Sequence, residues 1–386
     1  MESRFSRRQA IGGSARLGLA LAVGLPLLQA CGSAGSSSGG KKTSGIKDGL
    51  KPEAGPLRIL DYDAYVSPDV VSAFEAKYGV KVDITKFTTD DEAVSKLASG
   101  AVDVDLHKSA GTSTLYKLVD SGLIQPLNKS YISNIGNIVA SLRDPYYDKG
   151  AVYTVPYTVF GTGIGFRADR VDPASVSWDT LWDPQWKGVA SVLDDVREGL
   201  AMAMMRKGLT DVNTTDPAVI KQAGDDLGKL TDLMNIKVEI EGYHTIPEGA
   251  TTVAQTWTGD MLTGLQYLPE GTPPDVLGYW LPSPAVINND VMCVMSKAKN
   301  PVLAHLFIDY LLDKTTSLTN FQFVGYQPAI DGVDGQYLID QELVPENLRS
   351  CVLSSEQIGA GYRYLQLTPD VETLWEDAWS KFTAGG

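Results

Sequence analysis

Short β-prone runs and helix-periodic runs take turns from Leu57 to Gly122, and this alternation confines the chain to an open α/β sheet. Leu57–Leu60 reads as a strand. Ser67-Pro68-Asp69 then caps a helix in which Val70, Val71, Phe74 and Tyr78 recur at helical spacing, and Gly79 stops it. Val80–Phe87 alternates as a strand, Asp90–Leu97 is helical, Val102–Leu106 is a strand, and Thr112–Val119 is a helix ended by Gly122. A parallel sheet built this way takes its ligands beyond the carboxyl ends of its strands. Here those ends are Asp61–Tyr65 and His107–Ser113.

The pattern changes at Val152–Phe166, where β-branched, aromatic and glycine residues run on without a helix. One or two long strands leaving the first domain account for it. Gly161-Thr-Gly163-Ile-Gly165 lies inside this run with no helix after it, so it is no dinucleotide fingerprint. Trp178, Trp182 and Trp186 stand at helical spacing, as expected of a small helix packed onto a second domain. A second α/β set follows: strand Val189–Leu193, a helix through Gly199–Lys207, helix Ala218–Met234 capped by Asn213–Pro217, a strand near Val253–Thr256, and a helical Asp260–Leu268. Strands Val276–Trp280 and Val286–Met295, helix Pro301–Leu312, Phe321–Tyr326 leading into a small helical region, and helix Val371–Phe382 complete the chain. An extended crossover out and a return near Ile287–Asp290 predict two lobes joined by paired strands. Each lobe is then discontinuous in sequence, the wiring of a hinged clamp.

Where the second set opens, Leu193-Asp-Asp-Val-Arg-Glu198 runs from a strand end into a helix. Asp195 and Glu198 stand three apart and face one side of the first turn. A capping box explains that spacing. A pair of carboxylates aimed into a cleft to hold a cation explains it too, and Asp195 can do both if one oxygen caps while the other faces a ligand. The formal charge is −14, and Arg4, Arg7, Arg8 and Arg16 all lie at the start, so the body is strongly acidic. Such a body repels nucleic acid and anionic membrane surfaces and suits cationic ligands. His107, His244 and His305 have no H-E-x-x-H or C-x-x-C companion, so neither a metal site nor a cofactor is expected. His305 sits on a helix face as a structural residue, and His107 has no Ser or Cys partner in a recognisable motif, so enzyme chemistry is not expected.

The N-terminus is an address. Basic Arg4–Arg8 and the apolar Leu17–Leu28 form a signal peptide over residues 1–30, too short to span a membrane. Ser6-Arg7-Arg8-Gln9-Ala10-Ile11 looks like a twin-arginine signal, although without an aromatic at Ala10 the general secretory route stays open. Leu28-Gln29-Ala30-Cys31 resembles a lipobox, which makes Cys31 a lipidation site and the membrane a partner through a lipid anchor. Residues 31–56, rich in Gly, Ser and Lys, read as a flexible tether. Parity leaves Cys293 and Cys351 able to form a disulfide, while their apolar surroundings suit buried thiols equally.

Leu193-Asp-Asp-Val-Arg-Glu-Gly199, Trp178–Gly188 with Asn213–Pro217, and Gly325-Tyr326-Gln-Pro328 together resemble the spermidine/putrescine-binding subunits of ABC importers, which are type II extracytoplasmic solute-binding proteins. The resemblance runs from about Leu57 to Phe382. It implies an α/β, two-lobed periplasmic-binding-protein-like type II fold with a two-strand hinge. The first lobe is then 57–157 plus 289–332 and the second 158–288 plus 333–386. It further implies a polyamine ligand, ABC permease subunits as partners, and no enzymatic activity. Residue by residue, Tyr62 and Tyr65 match the aromatic pair after the first strand, and Asp195 and Glu198 the carboxylates of the second lobe. Trp257 matches the aromatic along the ligand's methylene chain, Asp290 the carboxylate that anchors a terminal ammonium, Tyr326 a wall aromatic, and Gln366 a late polar contact.

Two departures stand out. Asn288 replaces a second Trp two residues before Asp290, and the Ser-x-Tyr loop reads Ala110-Gly111-Thr112-Ser113, with Lys108 close by. They imply a smaller or more polar pocket and keep an opine- or sugar-like ligand as the alternative. A ferric-ion carrier would need a late Tyr-Tyr pair, absent from Gly325–Ala329.

Overall fold

The computed structural model describes residues 45–384. The signal peptide, Cys31 and the first part of the tether lie outside the described residues. Strand and helix alternate as expected through β1 (Leu57–Tyr62), α1 (Pro68–Tyr78), β2 (Val82–Phe87), α2 (Asp90–Ser99), β3 (Leu106–Gly111) and α3 (Leu115–Asp120). One long strand, β4 (Thr154–Arg167), then leaves this set. The second set is β5 (Ala190–Val192), α4 (Val196–Arg206), α5 (Pro217–Met234), β6 (Lys237–Val238), α6 (Gly242–Thr245), β7 (Val253–Trp257), α7 (Thr258–Thr263) and β8 (Leu277–Trp280). β9 (Ile287–Val294) returns to the first, followed by α8 (Pro301–Leu311), α9 (Lys314–Val324), α10 (Gly335–Asp340), α11 (Ser355–Ala360) and α12 (Pro369–Thr383).

The strands form one sheet in the order β2-β1-β3-β9-β4-β7-β5-β6, with β8 also beside β4. β1 pairs in parallel with β2 and β3, but β9 lies antiparallel to β3, and β4 antiparallel to β9, β7 and β8. The sheet is therefore mixed rather than wholly parallel, because β9 enters it from the far lobe. β4 pairs with β9 over Thr154–Gly161 and with β7 from Thr162 to Phe166. Two strands thus carry the chain between two lobes, the hinged type II arrangement of periplasmic-binding-protein-like folds. In the second lobe Phe166, Leu181, Leu200, Leu227, Trp375 and Trp379 pack into one apolar core. Trp178 meets Trp280 edge-on at 5.3 Å, and Trp182 donates its indole N–H to Asp226 O at 3.1 Å. The tryptophans pack as expected, on two 3₁₀ turns rather than one helix.

Several expectations need correction. The third strand lies at Leu106–Gly111 rather than Val102–Leu106. Its centre is His107-Lys108-Ser109, all buried, and a polar run of that kind hides a strand from any hydrophobic pattern. The fold tolerates it because Lys108 Nζ lies 3.1 Å from Asp61 Oδ2, donates to Tyr65 O at 2.9 Å, and stands 3.4 Å above the Tyr157 ring. A buried charge needs such partners. Phe321 and Val324 end helix α9, which Asp313 caps at its start and Gly325 closes in the left-handed region at φ 75°.

The tether, expected free to Pro56, is fastened from Ile46 onward. Asn128 Nδ2 donates to Ile46 O and Asp48 Oδ1, and both Glu53 oxygens accept N–H groups of Val302 and Leu303. Glu53 thereby caps α8, whose own Asn300 makes no side-chain cap. Cys293 and Cys351 are buried free thiols, and burial pushes Cys293 up to about 12. His305 is structural: Nδ1 donates to Pro301 O at 2.6 Å and Nε2 accepts from Asn128 N–H at 3.0 Å. His107 is buried against Phe87, and burial lowers it to about 4.

Candidate functional site

Residues at or just beyond the carboxyl ends of β1, β2, β5 and β7 converge with residues of β9, since Tyr62 feels the charges of Asp90, Asp195 and Asp290, and Glu198 bonds Trp257 and Asn288. Asp195 caps α4: its Oδ1 accepts the N–H groups of Arg197 at 2.8 Å and Glu198 at 2.9 Å. Its Oδ2 takes no hydrogen bond among the described residues. Glu198 does not fold back to complete a capping box. Its Oε1 accepts from Trp257 Nε1 at 3.1 Å and Asn288 Nδ2 at 2.8 Å, and its Oε2 from the Tyr364 hydroxyl at 2.9 Å. The D-x-x-E spacing therefore serves capping at its first residue and the cleft at its second.

The opposite side holds two more carboxylates. Asp290, on β9, accepts the Tyr65 hydroxyl at 2.7 Å and the Thr158 hydroxyl at 3.3 Å, both on Oδ2. Asp90, the first residue of α2, accepts the Tyr62 hydroxyl and the Gly111 N–H on Oδ1, each at 3.3 Å. A Cβ at Gly111 would lie 2.0 Å from Asp90 Oδ2, so only glycine lets this carboxylate sit here.

The four carboxyl groups strain against one another. Burial raises Glu198 and Asp290 to about 7 each and Asp90 to about 6, and it raises Asp195 as well. Asp195 repels Glu198 and Asp90, and Asp90 repels Asp290. Tyr62 is pushed far up by burial and then by Asp90, Asp290 and Asp195, so charges from both lobes converge on one phenol. Among the described residues no salt bridge reaches any of the four carboxylates. Lys108 eases Asp290 from behind but is itself ion-paired with Asp61. Arg197 eases Asp195, yet its guanidinium donates to Leu365 O, Val212 O and Asn213 Oδ1 and lies 4.7 Å from the rings of both Tyr364 and Trp375. Among the described residues, the two cations near the four carboxylates, Lys108 and Arg197, are thus engaged with other groups.

Aromatic rings pave it from one lobe to the other. Ring centroids step from Tyr62 to Tyr65 (6.0 Å), Tyr326 (5.4 Å), Phe160 (5.4 Å) and Trp257 (6.1 Å), each pair edge-to-face. Tyr326 donates its hydroxyl to Asp260 Oδ1 at 2.7 Å and lies over Gly259, where an added Cβ would come within 2.4 Å of the ring. Gly259→Ala must therefore displace Tyr326, and we expect affinity for the bound solute to fall about tenfold, the loss of one ring contact of about 1–1.5 kcal/mol. Titration calorimetry checks it.

The structure thus brings together Tyr62, Tyr65, Asp195, Glu198, Trp257, Asp290 and Tyr326. Gln366 is exposed and joins none of these hydrogen bonds. Tyr364, two residues earlier and buried, faces Glu198 instead. Sequence reasoning also missed Asp90, Thr158 and Phe160. Asp90 follows the carboxyl end of β2, so the rule that singled out Asp61–Tyr65 could have found it. Asn288, noted as a departure, proves to be a donor to Glu198.

Two hinged lobes closing on a cleft of this kind define a two-lobed solute-binding protein. Residues 69–342 match the model of the bacterial extracellular solute-binding protein family, and the chain belongs to that family of extracytoplasmic proteins. The spermidine/putrescine-binding periplasmic protein of Escherichia coli (strain K12) is 30% identical over 276 residues, 70% of this chain and 76% of that one. The putrescine/cadaverine-binding protein of Pseudomonas aeruginosa is 26% identical over 68% of this chain and 77% of its own length. In fold, the spermidine/putrescine ABC transporter substrate-binding protein of Streptococcus pneumoniae superposes with a TM-score of 0.71 at 23% identity, covering 85% of this chain and 98% of that one.

Proposed function

We propose that this chain captures a polyamine, putrescine- or spermidine-like, by closure of its lobes and delivers it to an ABC permease without transforming it. The observation that carries the reading is the set of four carboxylates, Glu198 buried and Asp90, Asp195 and Asp290 half-buried, none with a salt bridge among the described residues, beside a row of aromatic rings. A polyamine is a row of ammonium groups separated by methylenes. Charge-assisted hydrogen bonds hold the first, about twice as strong as neutral ones, and ring faces cover the second while adding cation–π attraction. The names of the relatives above support the same solute class. The ligand residues on this reading are Tyr62, Tyr65, Asp195, Trp257, Asp290 and Tyr326, with Glu198 contributing its charge.

Closure follows because Asp195 belongs to one lobe and Asp290 to the strand shared with the other, so a ligand binding both rewards the shut state. The lobes divide along β4 and β9, 57–157 with 289–332 against 158–288 with 333–386. Cys31 carries the lipid that tethers the receptor near its permease. Asn288, the polar group a neutral sugar would want, is already bonded to Glu198, which weighs against the sugar-like alternative.

Titration calorimetry with putrescine, spermidine, an opine and glucose tests the reading. Tight, enthalpically resolved binding of an amine alone supports it. Binding of glucose or the opine in preference to both amines overturns it.

A further inference from the structure

We infer that Asp90 is a specificity-determining ligand group: it gives the first lobe a second cation-binding carboxylate, so that one ammonium is held between Asp90 and Asp290 rather than by Asp290 alone. This rests on the polyamine reading. Asp90 stands at the start of α2 on the cleft side, with Oδ1 fixed by the Tyr62 hydroxyl and the Gly111 N–H. Its Oδ2 takes no hydrogen bond among the described residues, and neither does Oδ1 of Asp290. Tyr62 and Tyr65 hold one carboxylate each and their rings lie 6.0 Å apart, so the two acidic groups flank one aromatic pair. Gly111 makes room for this, since any side chain there would strike Asp90.

The groups facing Asp90 are Tyr62 from β1, Asp195 from α4 and Asp290 from β9, with Asp91 beside it on its own helix. None is a cation. Among the described residues an ionised Asp90 therefore has hydrogen-bond partners but no cationic one. A primary ammonium has three N–H donors and suits two carboxylates at once, whereas an uncharged terminus would leave two half-buried charges without a counter-charge. The lobe-1 end of the cleft selects for a charged, unsubstituted amine.

The test compares wild-type protein with Asp90→Asn, which keeps an oxygen for Tyr62 and Gly111 and loses only the charge. Asp91→Asn, an exposed neighbour bonded to Lys117, is the control. Putrescine and spermidine are titrated at pH 6 in two buffers of different ionisation enthalpy, which counts protons released on binding. We expect Asp90→Asn to weaken both amines about tenfold or more and to release fewer protons than wild type, with Asp91→Asn unchanged. Asp90→Ser, which keeps a hydrogen-bonding side chain at the same place, should show the same loss and guards against a folding defect in one variant. Affinity within twofold of wild type and equal proton release would overturn the inference while leaving the polyamine reading intact. Failure of the wild-type protein to bind either amine overturns that reading and this inference with it.

Discussion

Asp290→Asn should bind putrescine and spermidine at least about 30-fold more weakly than the wild-type protein, yet melt higher without ligand above pH 7. Removing one partner of a buried, hydrogen-bonded charge pair costs about 2–5 kcal/mol of binding. The asparagine still offers an oxygen to Tyr65 and Thr158, so the empty cleft keeps its hydrogen bonds. What it loses is a carboxylate that the fold holds at about 7 against an ordinary value of 3.8. Above pH 7 that ionised group disfavours the folded state by on the order of 3 kcal/mol, which the substitution relieves. For a chain of this size the gain is about 5 °C in Tm. Calorimetric titration and differential scanning calorimetry at pH 8 measure the two effects. A drop of several degrees would show instead that Asp290 holds the fold together.

Acidifying the ligand-free protein from pH 7.5 to 5.5 should raise its Tm while weakening amine binding by about 30-fold or more. In the folded protein Glu198 and Asp290 keep their protons up to about pH 7, whereas the unfolded chain releases them near their ordinary values of 4.5 and 3.8. Between those limits the folded state binds more protons, so stability falls as pH rises, by about 2 kcal/mol for each group across this window. A bound ammonium favours the ionised carboxylates and removes that slope. Binding must then expel protons below pH 7, and each group that has to ionise lowers affinity by up to about tenfold per pH unit. The ligand-induced rise in Tm should accordingly be largest above pH 7 and shrink at pH 5.5. Scans with and without putrescine across this range decide it, and an empty protein that melts lower at pH 5.5 than at 7.5 contradicts the account.

The lobes and their hinge were legible because alternating strands and helices interrupted by one long β-rich crossover admit few arrangements. Where that reading slipped, polar residues had taken apolar roles. β3 reads too early in the sequence, at Val102–Leu106, because Lys108 lies at its buried centre, a placement that depends on Asp61 from another strand and so on contacts no linear pattern shows. Asp90 escaped because Asp90-Asp91-Glu92 looks like the ordinary acidic first turn of a helix. Only packing against Gly111 and Tyr62 separates the first of these acids from the two beside it. Phe160 vanished into the strand alternation of β4. Tyr364 lay two residues from the expected Gln366, in an irregular segment where spacing does not fix which side chain turns inward.

Lys108 and Asp61 also bear on how this chain can drift. With both side chains fully enclosed, replacing either alone strands the other's charge away from water, a loss of roughly 3–5 kcal/mol that takes a large share of a typical domain's stability. A neutral pair of matching volume would cost little, but reaching it takes two simultaneous changes. The couple therefore acts as a ratchet, and descendants that have lost one member should have lost the other as well.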